Sequence, residues 1–169
     1  MALSIHFATN TKKIQKKFDR FLKRFPHITK KGLDQAGEQL RRIIEDKTTR
    51  GEKYTSGRFV GYSPEYSALK GKTTVDLQDS NRMLQSMKSR TVNNYKAQVY
   101  FNDMGMAKRA YWHQTGSGKL PERPFFGFNK KVENAIKNQF ENLISKEMRK
   151  LKLVLEKTSQ VILQQQLQT

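Results

Sequence analysis

Residues 88–101 read KSRTVNNYKAQVYF. Two short runs rich in β-branched and aromatic side chains, 88–92 and 97–101, flank the turn-like NNYK, the pattern of an antiparallel hairpin. Everything on either side has a helical or an irregular period. Upstream, Met83, Leu84 and Met87 suit a short helix over 79–87, and Leu33, Ala36, Leu40, Ile43 and Ile44 recur at helical spacing over 29–47. Asn10 and Thr11 can cap a further helix, in which Ile14, Phe18, Phe21, Leu22 and Phe25 form a stripe that Pro26 is expected to end. Downstream, 106–114 reads as a short helix. Asn129 then caps the longest periodic segment, carrying Val132, Ile136, Phe140, Leu143, Ile144, Met148, Leu151 and Leu155.

The expected class is α+β: a small antiparallel sheet packed with an N-terminal helical pair and one long C-terminal helix. A further strand is expected over 2–8, where Leu3, Ile5 and Phe7 alternate with polar residues. The stretch 48–75 has no sustained period and is rich in Gly, Ser, Thr, Tyr and Lys, so it reads as a long loop ordered against a neighbour. One domain over 1–169 accommodates these parts. A helix of about 35 residues spans roughly 50 Å, against roughly 40 Å for a compact domain of this size, so the end at 156–169 is expected to project.

Composition narrows the function. Apolar residues make up 36% and charged residues 28%, and no apolar run approaches the roughly 18–20 residues that cross a bilayer, so no membrane partner is expected. The start MALSIHFATN has neither a basic head nor a sustained apolar stretch, which points to assembly in the cytoplasm of the producing cell. Zero cysteines remove disulfides, thiolate metal sites and thiol nucleophiles. Thirty-three basic against 15 acidic residues give +18, which favours polyanions or acidic protein surfaces as partners. The charge is spread: residues 1–50 hold 13 basic and 5 acidic side chains, residues 101–150 hold 10 and 5, so the folded body itself is electropositive.

Recognisable catalytic chemistry is missing from the pattern. His6, His27 and His113 are far apart, no grouping has metal-ligand spacing, and His113 reads as structural. GSGK at 116–119 lacks the earlier glycine and the following hydroxyl residue of a phosphate loop, since those places hold His113 and Leu120, and it reads as a turn. No enzyme, cofactor or metal is expected. Lys12, Lys13, Lys16, Lys17, Arg20, Lys23 and Arg24 crowd one helix with Asp19 alone against them. Two readings stay open for that face, a solvated surface or one turned to DNA or an acidic ring.

Two stretches carry a resemblance. The first is GRFVGYSPEYSALKGKTTVDLQDSNRMLQSM, residues 57–87, with Tyr-Ser, a following Tyr and Lys, Asp-Leu, then Met-Leu and Ser. The second is AYWHQTGSGKLPERPFFGFNKKVENAIKNQF, residues 110–140, with an aromatic before His-Gln, then Gly, Pro-x-Arg-Pro-Phe and a long helix. In that order they resemble the tail-completion and virion-morphogenesis (neck) proteins of tailed bacteriophages, the minor tail protein Z-like group. The chain departs from that pattern at Asn81, where the group has Gly; Asn also tolerates a left-handed backbone.

The resemblance implies a non-enzymatic virion protein at the neck or tail top: a homo-hexameric ring joining the tail to the DNA-filled head around the channel. Its neighbours would be a head-closure or connector protein, a tail terminator or tail tube protein, and genomic double-stranded DNA. Six copies at +18 would carry about +108, whereas 40 Å of duplex carries about 24 phosphate charges, so part of the basic surface should face acidic neighbouring rings. The alternative is a non-specific double-stranded DNA-binding accessory protein. Pro121 and Pro124 hold the second stretch extended, and that rigidity is expected to aim Arg123, with Phe125 and Phe126, at an adjoining subunit. Tyr62 and Tyr66 belong to the same expected interface. On this view Arg123→Ala leaves the monomer folded and impairs only assembly.

Overall fold

The structure is a computed structural model that describes residues 11–118 and 120–166; the strand expected over 2–8 and the last three residues lie outside it. Its elements run α1 (Thr11–Thr49), α2 (Pro64–Lys70), α3 (Arg82–Gln85), β1 (Met87–Asn93), β2 (Lys96–Phe101), α4 (Met104–Thr115) and α5 (Lys130–Gln166). The class is α+β, with long helices at both ends and a two-stranded antiparallel sheet between them. The chain divides into two compact units, one of residues 30–140 and one combining 1–29 with 141–169.

The expected N-terminal helical pair is one helix, because Pro26 lies inside α1 without ending it. Proline removes one amide bond and crowds the preceding turn, at a cost of about 3 kcal/mol. The apolar spacing continues through it, from Phe21 and Phe25 to Ile28, and Thr29 Oγ1 donates to the Pro26 carbonyl at 3.0 Å. Helical stability in a folded chain comes mostly from packing, and the half-buried Phe21 and Ile28 on either side of the proline offset the local break.

Within residues 30–140 the expected hairpin is present, with Ser89 opposite Val99 and Thr91 opposite Ala97. It lies close against α1 at Gly37, where an added Cβ would stand 3.2 Å from the Ser89 Cβ. Two side-chain bonds tie the contact: Thr91 Oγ1 donates to Asp34 at 2.6 Å and Ser89 Oγ to Glu38 at 3.4 Å. Glu38 is also gripped by Arg41 through Nε and Nη2 at 2.9 and 2.8 Å, and the hydrogen bond from Arg41 holds its carboxyl down at about 2. The core gathers Ile44 of α1, Phe59, Val75 and Leu77 of the connecting segment, Met83, Leu84 and Met87, Ala110 of α4 and Phe125. Leu84 and Phe125 are almost wholly buried.

The segment 48–75 is anchored at both ends and carries a helix of its own. Thr48 is buried and donates to the Ile44 carbonyl at 2.6 Å, and the Phe59 amide returns to Gly51 at 2.8 Å. Ser63 caps α2 and Gly71 ends it in a left-handed conformation. Asp76, itself buried, then draws in Lys70 and Lys72 and accepts from the Gln78 amide at 3.0 Å. Burial alone would push the Asp76 carboxyl up, but the hydrogen bonds from Lys70 and Gln78 prevail and leave it below the ordinary carboxylate value.

The unit of 1–29 and 141–169 is helical throughout its described part. Phe21, Ile28 and Leu151 line a groove of about 280 Å³ together with Arg20 and Arg24. Phe18, Leu22 and Phe25 of the α1 stripe stay exposed, Leu22 by 52%, as do Met148 and Leu153 of α5. Asp76→Ala should lower unfolding stability by about 3 kcal/mol, because it strands the largely buried Lys70 ammonium; an unchanged urea midpoint would contradict this account of the 48–75 anchor.

Candidate functional site

The extended segment 121–128 is built from local rules. Gly116 and Gly118 take positive φ of 69° and 60°, and the Leu120 amide donates to the Ser117 carbonyl at 3.0 Å, so 116–120 folds back as a turn. An added Cβ at Gly116 would meet the Glu122 backbone nitrogen at 3.2 Å, which keeps this position to glycine. The Arg123 amide donates to the His113 carbonyl at 2.7 Å, and Gln114 Oε1 accepts from the Phe125 and Phe126 amides at 3.1 and 2.9 Å. The Pro124 carbonyl accepts from the Tyr54 amide at 3.0 Å. Asn129 then caps α5, its Oδ1 accepting from the Val132 amide at 3.1 Å.

Arg123 is 4% exposed. Its Nε donates to the Val60 carbonyl at 3.1 Å and Nη2 to the Gly61 carbonyl at 3.2 Å, while the guanidinium lies over the Tyr62 ring, 5.2 Å from its centre. Burial pulls its pKa down, opposed by the Tyr62 and Tyr66 hydroxyls. Such a group stays charged in a protein, so the interior holds a cation bonded to neutral carbonyls.

Around this guanidinium opens a cleft of about 740 Å³. One wall is the 61–83 segment, with Tyr62, Tyr66, Asn81, Arg82 and Met83; the other is α4 and the turn after it, with Arg109, Trp112, His113, Leu120 and Pro121. Tyr62 and Tyr66 pack edge to face at 4.9 Å. The Asn81 Oδ1 and His113 Nδ1 atoms are buried without a protein partner among the described residues. Burial lowers the His113 pKa from its ordinary 6.5, with the nearby Arg123 and Arg109 charges acting the same way, so the imidazole is neutral at pH 7. The arrangement offers cations and aromatic faces. Among the described residues no group of three or more His, Asp or Glu side chains forms a metal centre.

No protein-family model, curated protein or solved structure matches this chain. The two stretches singled out in the sequence, 57–87 and 110–140, supply every lining residue except Arg109, although they are more than twenty residues apart.

The expected interface residues separate into two groups. Arg123 and Phe125 are buried inside this chain, and Arg123 bonds to its own loop, so the expected presentation of the pair to a neighbour gives way to an internal role. The physical reason is that the Arg123 amide is tied to the His113 carbonyl, which lays the extended segment beside Val60 and Gly61, whose carbonyls take up the guanidinium. Phe126 is half-buried and packs on Phe101 at 5.2 Å; Tyr62 is half-buried and Tyr66 exposed on the cleft wall. On the other unit Lys16, Arg20, Lys23 and Arg24 are exposed and Lys17 half-buried, while the side chains of Lys12 and Lys13 lie outside the described ones.

Sequence reasoning missed Arg82, Arg109 and Trp112 as site residues. Arg82 and Arg109 are single cations in a chain rich in them, at helix positions whose facing wall is remote in sequence, and Trp112 is the aromatic before His-Gln in the second stretch. Asn81 was visible through its glycine-like place, and it does take a left-handed φ of 56°.

A pH dependence follows from His113. With the folded pKa depressed, the unfolded chain takes up the proton first, so this residue's contribution is complete above about 6.5 and declines as pH falls toward the folded pKa. Melting temperatures from pH 7.5 down to 5.5 should fall more steeply in the parent chain than in His113→Gln; parallel curves would refute the assignment.

Proposed function

We propose that this chain is a structural virion protein of a tailed bacteriophage, a tail-completion or neck protein that joins the tail to the DNA-filled head as a ring around the channel. The observation that carries the reading is large apolar surface left uncovered beside strong positive charge. Leu69 is 84% exposed and Met104 87%, and Phe18, Leu22, Phe25, Met148 and Leu153 stand open on the long helices. Phe18, Leu22 and Phe25 recur at i, i+4 and i+7 on one helix, and an exposed apolar face of that kind lowers solubility unless another subunit covers it. The unit of 1–29 and 141–169 carries twelve basic against four acidic residues, which suits a neighbour of opposite charge. The order of the two stretches at 57–87 and 110–140 supports the same family. Self-association into a hexamer, the head-closure and tail-side neighbours, and the location in the virion are parts of this proposal.

The exposed cations Lys16, Arg20, Lys23 and Arg24 favour a second reading, a non-specific duplex-binding accessory protein. The two differ in what the free chain does. Electron microscopy of particles made without this protein should show filled heads and tails that do not join. Normal infectious virions would remove the first reading. Duplex binding by the purified chain should be weak at moderate salt; tight binding that weakens steeply as salt rises would favour the second.

A further inference from the structure

Three of the cations at the cleft lack anionic partners. Lys70 is matched to Asp76, but among the described residues Arg82, Arg109 and Arg123 make no ion pair, and Asp79, the acid on the same wall, is paired with none of them. Arg123 is the most telling, since a cation removed from water normally has its charge compensated. Beside these charges lie apolar faces from Trp112, Tyr66 and Leu120. The buried Asn81 Oδ1 accepts no hydrogen bond from the described residues. A ligand suited to this wall brings carboxylate or other anionic oxygen, apolar groups and an N–H donor together.

Size and local backbone decide among candidates. A volume of about 740 Å³ falls in the range of sites for single small molecules or short peptide stretches and does not admit a duplex. Phosphate is usually cradled by successive backbone amides of a glycine-rich turn. Here the glycine run closes on itself through the Leu120 amide and Ser117 carbonyl. The guanidinium groups remain, and their planar fork takes carboxylate and phosphate oxygens alike; the apolar faces of Trp112, Tyr66 and Leu120 beside them favour carboxylates carried on an aromatic-bearing strand. An extended peptide with acidic and aromatic side chains supplies all three features from one strand.

We propose that the cleft between the 61–83 segment and α4 is a docking site for an acidic, aromatic-bearing peptide segment of another protein, its carboxylates received by Arg82 and Arg109 above the buried charge of Arg123. This rests on the reading of the chain as an assembly protein and names the chemistry of the partner. Arg123 sets the floor of the site, bound to its own loop, while Arg82 and Arg109 are exposed on opposite walls and close on the ligand.

Trp112, the single tryptophan of the chain, lies on the cleft wall and reports occupancy through its fluorescence. Acetyl-Glu-Phe-Glu-Phe-Glu-amide should change its emission saturably and bind at least tenfold more tightly than the matched glutamine peptide. Arg82→Gln with Arg109→Gln should abolish that preference, and Lys150→Gln, on the other unit, should leave it intact. The two arginines are exposed, and each single variant should reduce the preference on its own, which keeps the test readable if the double variant is less stable. Equal binding of the two peptides, no response, or a preference that survives the arginine changes would overturn the proposal. Inorganic phosphate or AMP binding more tightly than the glutamate peptide would overturn it in favour of a phosphate site. The titration uses the free chain and no particles, so a cleft that ignores the peptide while head–tail joining still needs the protein defeats this inference alone.

Discussion

A buried guanidinium holds the larger unit together. Arg123 ties the Val60 and Gly61 carbonyls to the segment that leads into α5, and its own amide ties that segment to α4 at His113. Around it Tyr62 stacks, Gln114 takes up two successive amides, and Phe125 fills the centre of the core. No single bond here exceeds a few kcal/mol. Their joint effect is to fix three remote pieces of chain, 59–62, 110–114 and 121–126, in one geometry, and the cleft is the space they leave between them.

That same clasp leaves charge unanswered. A protein of +18 whose cleft arginines make no ion pair among the described residues and whose long helices expose Phe18, Leu22 and Leu153 would, on this proposal, be finished only by its neighbours. Apolar contact would supply the affinity and opposite potential the register. Basic surface beyond what DNA in a channel could neutralise would then serve contacts between proteins.

Much of the fold was legible because its signals were local. The hairpin at 88–101 was readable from two β-rich runs and a turn, the cap of α5 from Asn129, and the turn at 116–120 from its glycines. Pro26 misled because its cost is local, while the apolar stripe that carries α1 past it extends over several turns. Phe18, Leu22 and Phe25 misled in another way: periodicity reports that a face is apolar, not what covers it. The site was half legible. Arg123, Phe125 and Tyr62 stood out, but a rigid frame around an arginine says nothing about the direction of its side chain, and only the folded path shows that it turns inward. Arg82 and Arg109 were hidden because a cleft is a relation between residues far apart in the chain.

The central claim is that Arg123 holds the monomer together, in contrast to the expectation of a purely intermolecular role. Its most direct test is equilibrium urea unfolding of Arg123→Met, which keeps much of the side-chain volume and removes the donors. Loss of two charge-assisted hydrogen bonds at a buried site should lower stability by about 2–4 kcal/mol. A midpoint equal to that of the parent chain would contradict the account and return Arg123 to the surface of an interface.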